Sequence, residues 1–228
     1  MIGIICAMDV EAENFKSLMV DSRREVVGGT EFICGNLWGK KTVLAVSGVG
    51  KVNAAICAQT MIMKFSPDFI INSGVAGGLE PSLKICDIVV AENVVQHDMD
   101  TSPLGDPVGF ISGIDIVKIP CDKKISDALK KAADKSNINC LIGTIASGDQ
   151  FINDDQKRAF IFDTFDAFAC EMESGAIGHV CYKNDVPFCA IRSISDNADS
   201  NSHISYAEFV KIAVRNFVNV MNIFYSSL

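Results

Sequence analysis

Glu11, Glu171, Glu173 and Asp196 each stand at or just past the end of a short apolar run, where a strand would finish. Acids that reach one cleft from different strand ends suit acid–base hydrolysis of a bond to a sugar. Such a reaction passes through an oxocarbenium-like transition state. One carboxylate activates water on one face of the sugar, and an acid protonates the leaving group. Surrounding acids stabilise the positive charge that builds on the sugar. Helix-capping or purely structural carboxylates are the plainer reading of each position taken singly.

Other chemistries are less well supplied. Gly48-Val-Gly50 with Lys51 opens a helical pattern, and helix N-termini bind anions. The run is GxGxxN rather than GxGxxG, and GxxxxGK[ST] is absent, so neither a dinucleotide fingerprint nor a P-loop is present. Close approach of the backbone to a small ligand or to a neighbouring helix explains these glycines equally well. There is no GxSxG, and neither Ser147 nor Ser195 has a histidine nearby in sequence. His97, His179 and His203 lack ligand spacing, so no metal is expected. His179 reads as a core or packing residue, and His203 as a residue capping or preceding the last helix.

The elements that must position these groups alternate. Ile2 to Ala7 reads as a strand buried on both faces, after which Asp9 caps a helix to about Met19. A β-rich stretch follows through Phe32–Cys34 and Lys41–Val46, with Gly28-Gly29 as a hairpin-like turn. A helix over Val52–Lys64 precedes a strand over Asp68–Asn72, which Gly74-Val-Ala-Gly-Gly78 is expected to break. Further strands are predicted over Ile88–Gln96, Ile142–Ala146, Phe168–Glu171 and Phe188–Ile194. Helices are predicted over Ile125–Lys135, 154–163, Ser174–Tyr182 and Tyr206 to about Phe224. Residues 99–115 hold two prolines and three glycines without periodicity, and are expected to loop; 99–112 would form a lid or a subunit contact. Strands alternating with helices imply one α/β domain over 1–228 with a largely parallel sheet, whose ligands bind at the carboxyl ends of strands.

The chain of 228 residues is large enough to bury a core without disulfides or metals. Its net charge of −8 argues against a nucleic-acid partner and favours a small uncharged or cationic ligand. Nine scattered cysteines with no CxxC pair read as reduced packing residues, and Cys6 as filler within a buried strand. No stretch is long and apolar enough to span a bilayer, and MIGIICAMDVEAE lacks the basic n-region of a signal peptide. A cytoplasmic location, with no membrane partner, is the expectation.

Six segments together carry a family likeness. GIICAMDVEAE, SGVGKVNAA, INSGVAGGL, SGDQFI, EMESGAIGHV and RSISDNADSNSHISYAEF resemble, in order and spacing, the 5′-methylthioadenosine/S-adenosylhomocysteine nucleosidases of the purine nucleoside phosphorylase and nucleosidase family. The resemblance runs from residue 1 to the last helix and is least distinctive over 99–140. It implies a three-layer α/β/α sandwich with a mixed sheet, a homodimer, and cofactor-free hydrolysis of a 5′-thioadenosine nucleoside to adenine and a thioribose. By the same resemblance Glu11 deprotonates the attacking water and Asp196 protonates N7 of the departing adenine. Glu173 holds ribose hydroxyls with Met172 beside the sugar, Arg192 helps to place Glu173, and Glu171 is a second acid near the ribose. Phe151 and Ile152 frame adenine, Ser195 and Gly77 line the same pocket, and Met8, Val49 and Tyr206 surround the ribose and its 5′ substituent.

These nucleosidases often carry Ser where this chain has Val75, and that hydroxyl would help hold the purine-side acid. Val75 leaves Asp196 to be oriented by water or another group, or the purine edge to be read differently. The rival on the same fold is a phosphorylase, which would want arginines near the glycine turns; only Lys51 is there. A nucleosidase for another adenine nucleoside, such as 5′-deoxyadenosine or an aminofutalosine, and a non-catalytic nucleoside-binding protein are the remaining alternatives.

Overall fold

The computed structural model describes residues 1–196 and 206–228, with side chains for 1–195 and 216–228. Its strands are β1 (Ile2–Cys6), β2 (Val20–Val27), β3 (Thr30–Leu37), β4 (Lys40–Val46), β5 (Phe69–Gly78), β6 (Ile88–Gln96), β7 (Ile119–Pro120), β8 (Cys140–Ser147), β9 (Ala167–Glu171) and β10 (Phe188–Asp196). Its helices are α1 (Asp9–Leu18), α2 (Lys51–Phe65), α3 (Lys123–Lys135), α4 (Asp155–Phe165), α5 (Ser174–Lys183) and α6 (Tyr206–Ser227).

The apolar run of β1 is buried at every position because β4 and β5 flank it on both sides, each in parallel. Neighbouring residues of each strand face opposite ways. Ile5, Val43, Ala45 and Ile70 therefore join one core, under Ala54, Cys57, Ala58 and Met61 of α2 and Ala176, Ile177 and Cys181 of α5. Ile4, Cys6, Leu44 and Ile71 join the other, under α1, α3 and the last turns of α6. A third, smaller cluster lies beneath α4 and includes Ile152 and Cys170.

The strands follow the order β10-β6-β8-β9-β5-β1-β4-β3-β2, with β7 beside β6 and a further pairing of β10 with β5. That last pairing closes β5, β10, β6, β8 and β9 into a ring, from which β1, β4, β3 and β2 extend. The sheet is mixed, as expected. Among the described residues β1–β4, β1–β5, β5–β10, β6–β8 and β8–β9 are parallel. β2–β3, β3–β4, β5–β9, β6–β7 and β6–β10 are antiparallel. Two hairpins (β2–β3 and β3–β4) and the pairings β5–β9, β6–β7 and β6–β10 supply the antiparallel half, whereas the pairing that closes the ring is parallel.

Two local expectations change. Gly74 to Gly78 does not break β5, which runs on through the glycines to pair Gly77 with Cys170 and Gly78 with Ala169. Asp9 is the first helical residue of α1 and Met8 occupies the N-cap, where the capping contact comes from Glu11 reaching back to the Met8 N–H. Within 99–115 the chain makes a single 3₁₀ turn at Ser102–Leu104 and is tied by Gly109 N–H to Met99 O at 2.7 Å. Among the described residues no helix is long and apolar enough to cross a membrane.

Candidate active site

A cleft of about 210 Å³ opens at the carboxyl ends of β1, β9 and β10 and beside the last residues of β5. It is lined by Met8, Glu11, Val49, Val75, Gly77, Phe151, Ile152, Glu171, Met172, Glu173 and Ser195, together with Ala7, Ala76, Gln150 and Cys170. Strand ends thus converge on one site, as the parallel pairings require. Of the remaining expected residues, Arg192 lies behind the cleft wall. The Asp196 and Tyr206 side chains lie outside the described residues; the Asp196 backbone ends β10 directly beside Gly77.

Glu11 sits one turn into α1, buried, with both oxygens held by backbone. Its Oε2 accepts from Ala7 and Met8 N–H at 2.9 and 3.0 Å, and its Oε1 from Val75 N–H at 3.0 Å. Burial raises its proton affinity above the ordinary carboxylate value, against the opposing pull of Arg192 and those three N–H groups. Gly74 makes the room: a Cβ there would stand 2.6 Å from Glu11 Oε1. The glycine cluster of β5 therefore serves close approach, which explains why it does not end the strand.

Glu173 stands at the N-cap position of α5 just after β9, its side chain turned away from the helix: its Oε1 accepts from Gly50 N–H at 2.9 Å. Burial, then the neighbouring Glu171, lift its pKa from the ordinary 4.5 to about 7, with Arg192 and the Gly50 N–H pulling the other way. Glu171 lines the cleft and is held from within. It accepts from the Arg192 guanidinium, the Ser147 hydroxyl, the Ser174 hydroxyl at 3.0 Å and the Glu173 N–H at 3.1 Å, with the Ser174 N–H at 2.9 Å. Burial alone would raise its pKa, yet Arg192 and these donors hold it below the ordinary carboxylate value. Both oxygens are taken, so Glu171 anchors the floor of the cleft and has no acceptor left for a sugar.

Arg192 forms its ion pair with Glu171, whose Oε2 in turn accepts the Glu173 N–H. It also donates to Asn72 O and Ile191 O, each at 3.1 Å, and to the Asn72 carboxamide. Glu173 and Glu11 feel its charge without touching it. Ser195 is the extra residue of a bulge in β10, where the register steps from Ile194 against Ala76 to Asp196 against Gly77. Bulges re-aim side chains beside active sites, and the Ser195 hydroxyl donates to Ala76 O at 3.1 Å.

Phe151 is 76% exposed on one wall, while Ile152 beside it is buried. Met8, Val49 and Met172 add apolar surface. No residue of 99–112 reaches the cleft. His179 is half-buried on α5, its Nδ1 3.5 Å from the Gln96 carboxamide, rather than in the core; His203 lies outside the described residues. Sequence reasoning missed Ala7, Ala76, Gln150 and Cys170 as lining. Gln150 adjoins Phe151 in SGDQFI and was open to inference from that neighbour; Cys170 passes for an ordinary packing thiol.

The N-terminus of α2, the natural anion seat, is already occupied. Gly50 N–H is given to Glu173, and Lys51 N–H to Asp149 Oδ1 at 2.7 Å. Two carboxylates therefore stand where a phosphate would bind.

A phosphorylase-superfamily model matches residues 1–225. The 5′-methylthioadenosine/S-adenosylhomocysteine nucleosidase of Shewanella loihica is 38% identical over 211 residues, 92% of this chain and 91% of its own. Among solved structures, that of the Neisseria meningitidis nucleosidase of the same name, in complex with methylthio-immucillin-A, superposes with a TM-score of 0.94 at 34% identity, covering 100% of this chain and 99% of its own. The futalosine hydrolase of Helicobacter pylori superposes at 0.93 with 35% identity, covering 100% and 97%.

Proposed function

From this chain's membership of the phosphorylase superfamily and, within it, of the 5′-methylthioadenosine/S-adenosylhomocysteine nucleosidases, we propose that it cleaves the N-glycosidic bond of both named nucleosides with water. The chain is an N-ribosyl hydrolase. Glu11 takes the proton of the attacking water: three N–H groups orient it, and burial makes it a stronger base than a solvated carboxylate. Asp196 protonates adenine N7, so that a neutral purine leaves instead of an anion. That role rests on the family motif and on the β10 register beside Gly77.

Glu173, with one oxygen fixed by Gly50, holds the ribose hydroxyls. Phe151 stacks on adenine, Ile152 bonds it through backbone, and Ser195, Gly77 and Val75 form its far edge. Met8, Val49, Met172 and Tyr206 surround the ribose and the thio substituent. No cofactor takes part.

The occupied N-terminus of α2 carries the choice of water over phosphate. The test is incubation with methylthioadenosine, with and without phosphate, following products by mass. Adenine and unphosphorylated methylthioribose are expected in both cases; a sugar 1-phosphate formed only with phosphate would overturn hydrolysis. Asp196→Asn should remove most turnover and leave the fold intact. The likeness to the Helicobacter pylori futalosine hydrolase favours one second reading, an adenine nucleoside with a larger 5′ substituent such as an aminofutalosine. Relative kcat/KM values on the two substrates decide between them.

In this reading the chain works as one domain, a three-layer α/β/α sandwich whose sheet curls closed. It acts in the cytoplasm, in keeping with nine cysteines of which none forms a disulfide, and as a homodimer. Support for the dimer is an apolar outer face on α2, where Val52, Ile56 and Met63 are 69, 49 and 77% exposed.

A further inference from the structure

Beside the sugar end of the cleft, three chain segments meet on a ring of charges that the proposed chemistry does not use. Asp98 stands just past the end of β6. Its Oδ1 accepts from the Lys51 ammonium at 2.6 Å, and its Oδ2 from the backbone N–H of Asp149 at 2.9 Å. Asp149, in the turn after β8, accepts from the Lys51 N–H at 2.7 Å and closes the ring. Gln96 takes a second bond from the Lys51 ammonium at 3.2 Å. The Lys51 and Asp98 side chains are only 19% and 15% exposed, so water screens the pair weakly. The His97 ring packs under the same turn: a Cβ on Gly148 would lie 2.4 Å from its Nε2.

The ring touches both walls of the site through the backbone. Lys51 follows Gly50, whose N–H aims Glu173, and Gly50 sits at φ +98° with Asp149 Oδ1 3.1 Å from where a Cβ would stand. Asp149 leads directly into Gln150, Phe151 and Ile152 on the opposite wall. One carboxylate therefore fixes both the donor that orients the sugar-side acid and the segment that frames the base.

We propose that Asp98, acting with Lys51, is a positioning residue that sets Glu173 for the sugar hydroxyls. This rests on the reading of Glu173 as the ribose-binding acid. Without Asp98, the Lys51 ammonium and the Asp149 N–H each lose an acceptor, and the start of α2 rests on the Lys51 N–H bond to Asp149, in a turn that is itself no longer tied to the end of β6. The Gly50 N–H then drifts from Glu173. Around that carboxyl stand Glu171 from β9, Glu11 from α1 and Arg192 from β10. Losing the Gly50 bond removes one of the two influences that favour its ionised form, so Glu173 keeps its proton to higher pH.

The experiment is steady-state kinetics of adenine release from methylthioadenosine across about pH 5 to 9. The proteins compared are wild type, Asp98→Ala, Asp98→Asn, Lys51→Met, Glu173→Gln and the Asp98→Ala/Glu173→Gln double variant. For Asp98→Ala, KM should rise about tenfold with kcat within about threefold, as the loss of substrate-binding geometry predicts. The acid limb of kcat/KM should move to higher pH. Asp98→Asn keeps one acceptor and should recover part of the loss in KM. On the Glu173→Gln background, Asp98→Ala should add little, because its route to the substrate is gone.

Wild-type KM and an unmoved acid limb in folded Asp98→Ala and Lys51→Met overturn the inference, as do fully additive losses in the double variant. Should Asp98→Ala fail to fold, Lys51→Met carries the test, since the bond from Asp149 to Asp98 survives it. Absence of adenine release by the wild-type enzyme overturns the proposed function instead, so the two failures read apart.

Discussion

Two buried carboxyls, Glu11 and Glu173, share a raised proton affinity and differ in what holds them. Glu11 is bound by three backbone N–H groups, and no amide can match that pattern, because one end of a Gln would set an NH₂ against a backbone donor. Glu11→Gln should therefore cost about 10² to 10⁴ in turnover; adenine release within tenfold of wild type would point to another base. Glu173 offers a cleaner reading of pH. Its pKa stands at about 7 against an ordinary 4.5, so between those values the unfolded chain has released a proton that the folded chain retains. Its favourable contribution is complete below pH 4.5 and is lost as pH rises through 7. Glu173→Gln should therefore stabilise the protein at pH 8 by on the order of 2–3 kcal/mol and change little at pH 4.5. Denaturant melts at the two pH values check this, and equal shifts at both would refute it. Both acids were legible as strand-end carboxylates. The partner of Arg192 was not, because it depends on how β9 and β10 each pair with β5, and spacing along one chain does not encode that.

At the scale of elements, periodicity served where burial is one-sided or complete. The α2 stripe of Ala54, Cys57, Ala58 and Met61 and the all-buried β1 were readable for that reason. β2 was not, since it is exposed at nearly every position and shows no alternation; nor was β7, two residues long. The glycines of β5 misled because turn chemistry and close packing ask for the same residue. Gly74→Ala separates those roles. Its methyl group would meet Glu11 Oε1 at 2.6 Å, against a carboxylate pinned by the Ala7, Met8 and Val75 N–H groups. A turn residue would tolerate alanine, whereas this position should lose about 1–3 kcal/mol of stability. It should also lose more than tenfold in kcat, because the displaced carboxylate no longer faces its water. Unchanged kcat in a folded Gly74→Ala protein would show that Glu11 does not depend on this gap.

At the scale of the whole molecule, ring closure by β10 against β5 was beyond the sequence, because it joins strands by long-range pairing that local pattern leaves open. The same closure brings Ser195 and the end of β10 to Gly77 and so completes the cleft. Among the described residues the outer face of α2 stays exposed. Its inner stripe packs on the sheet and α5, yet Val52, Ile56 and Met63, at i, i+4 and i+11, form a second apolar line facing outward. A helix apolar on two sides is expected to be covered on both. The proposed homodimer supplies that cover, and α2 starts at the residue beside Gly50, which holds Glu173. Val52→Glu with Ile56→Glu should therefore leave each chain folded, since neither side chain belongs to the core, and should convert dimer to monomer in sedimentation. KM should rise in the same variant, because the start of α2 loses its packing partner while the catalytic acids are untouched. A double variant that still sediments as a dimer would place the interface elsewhere on the molecule.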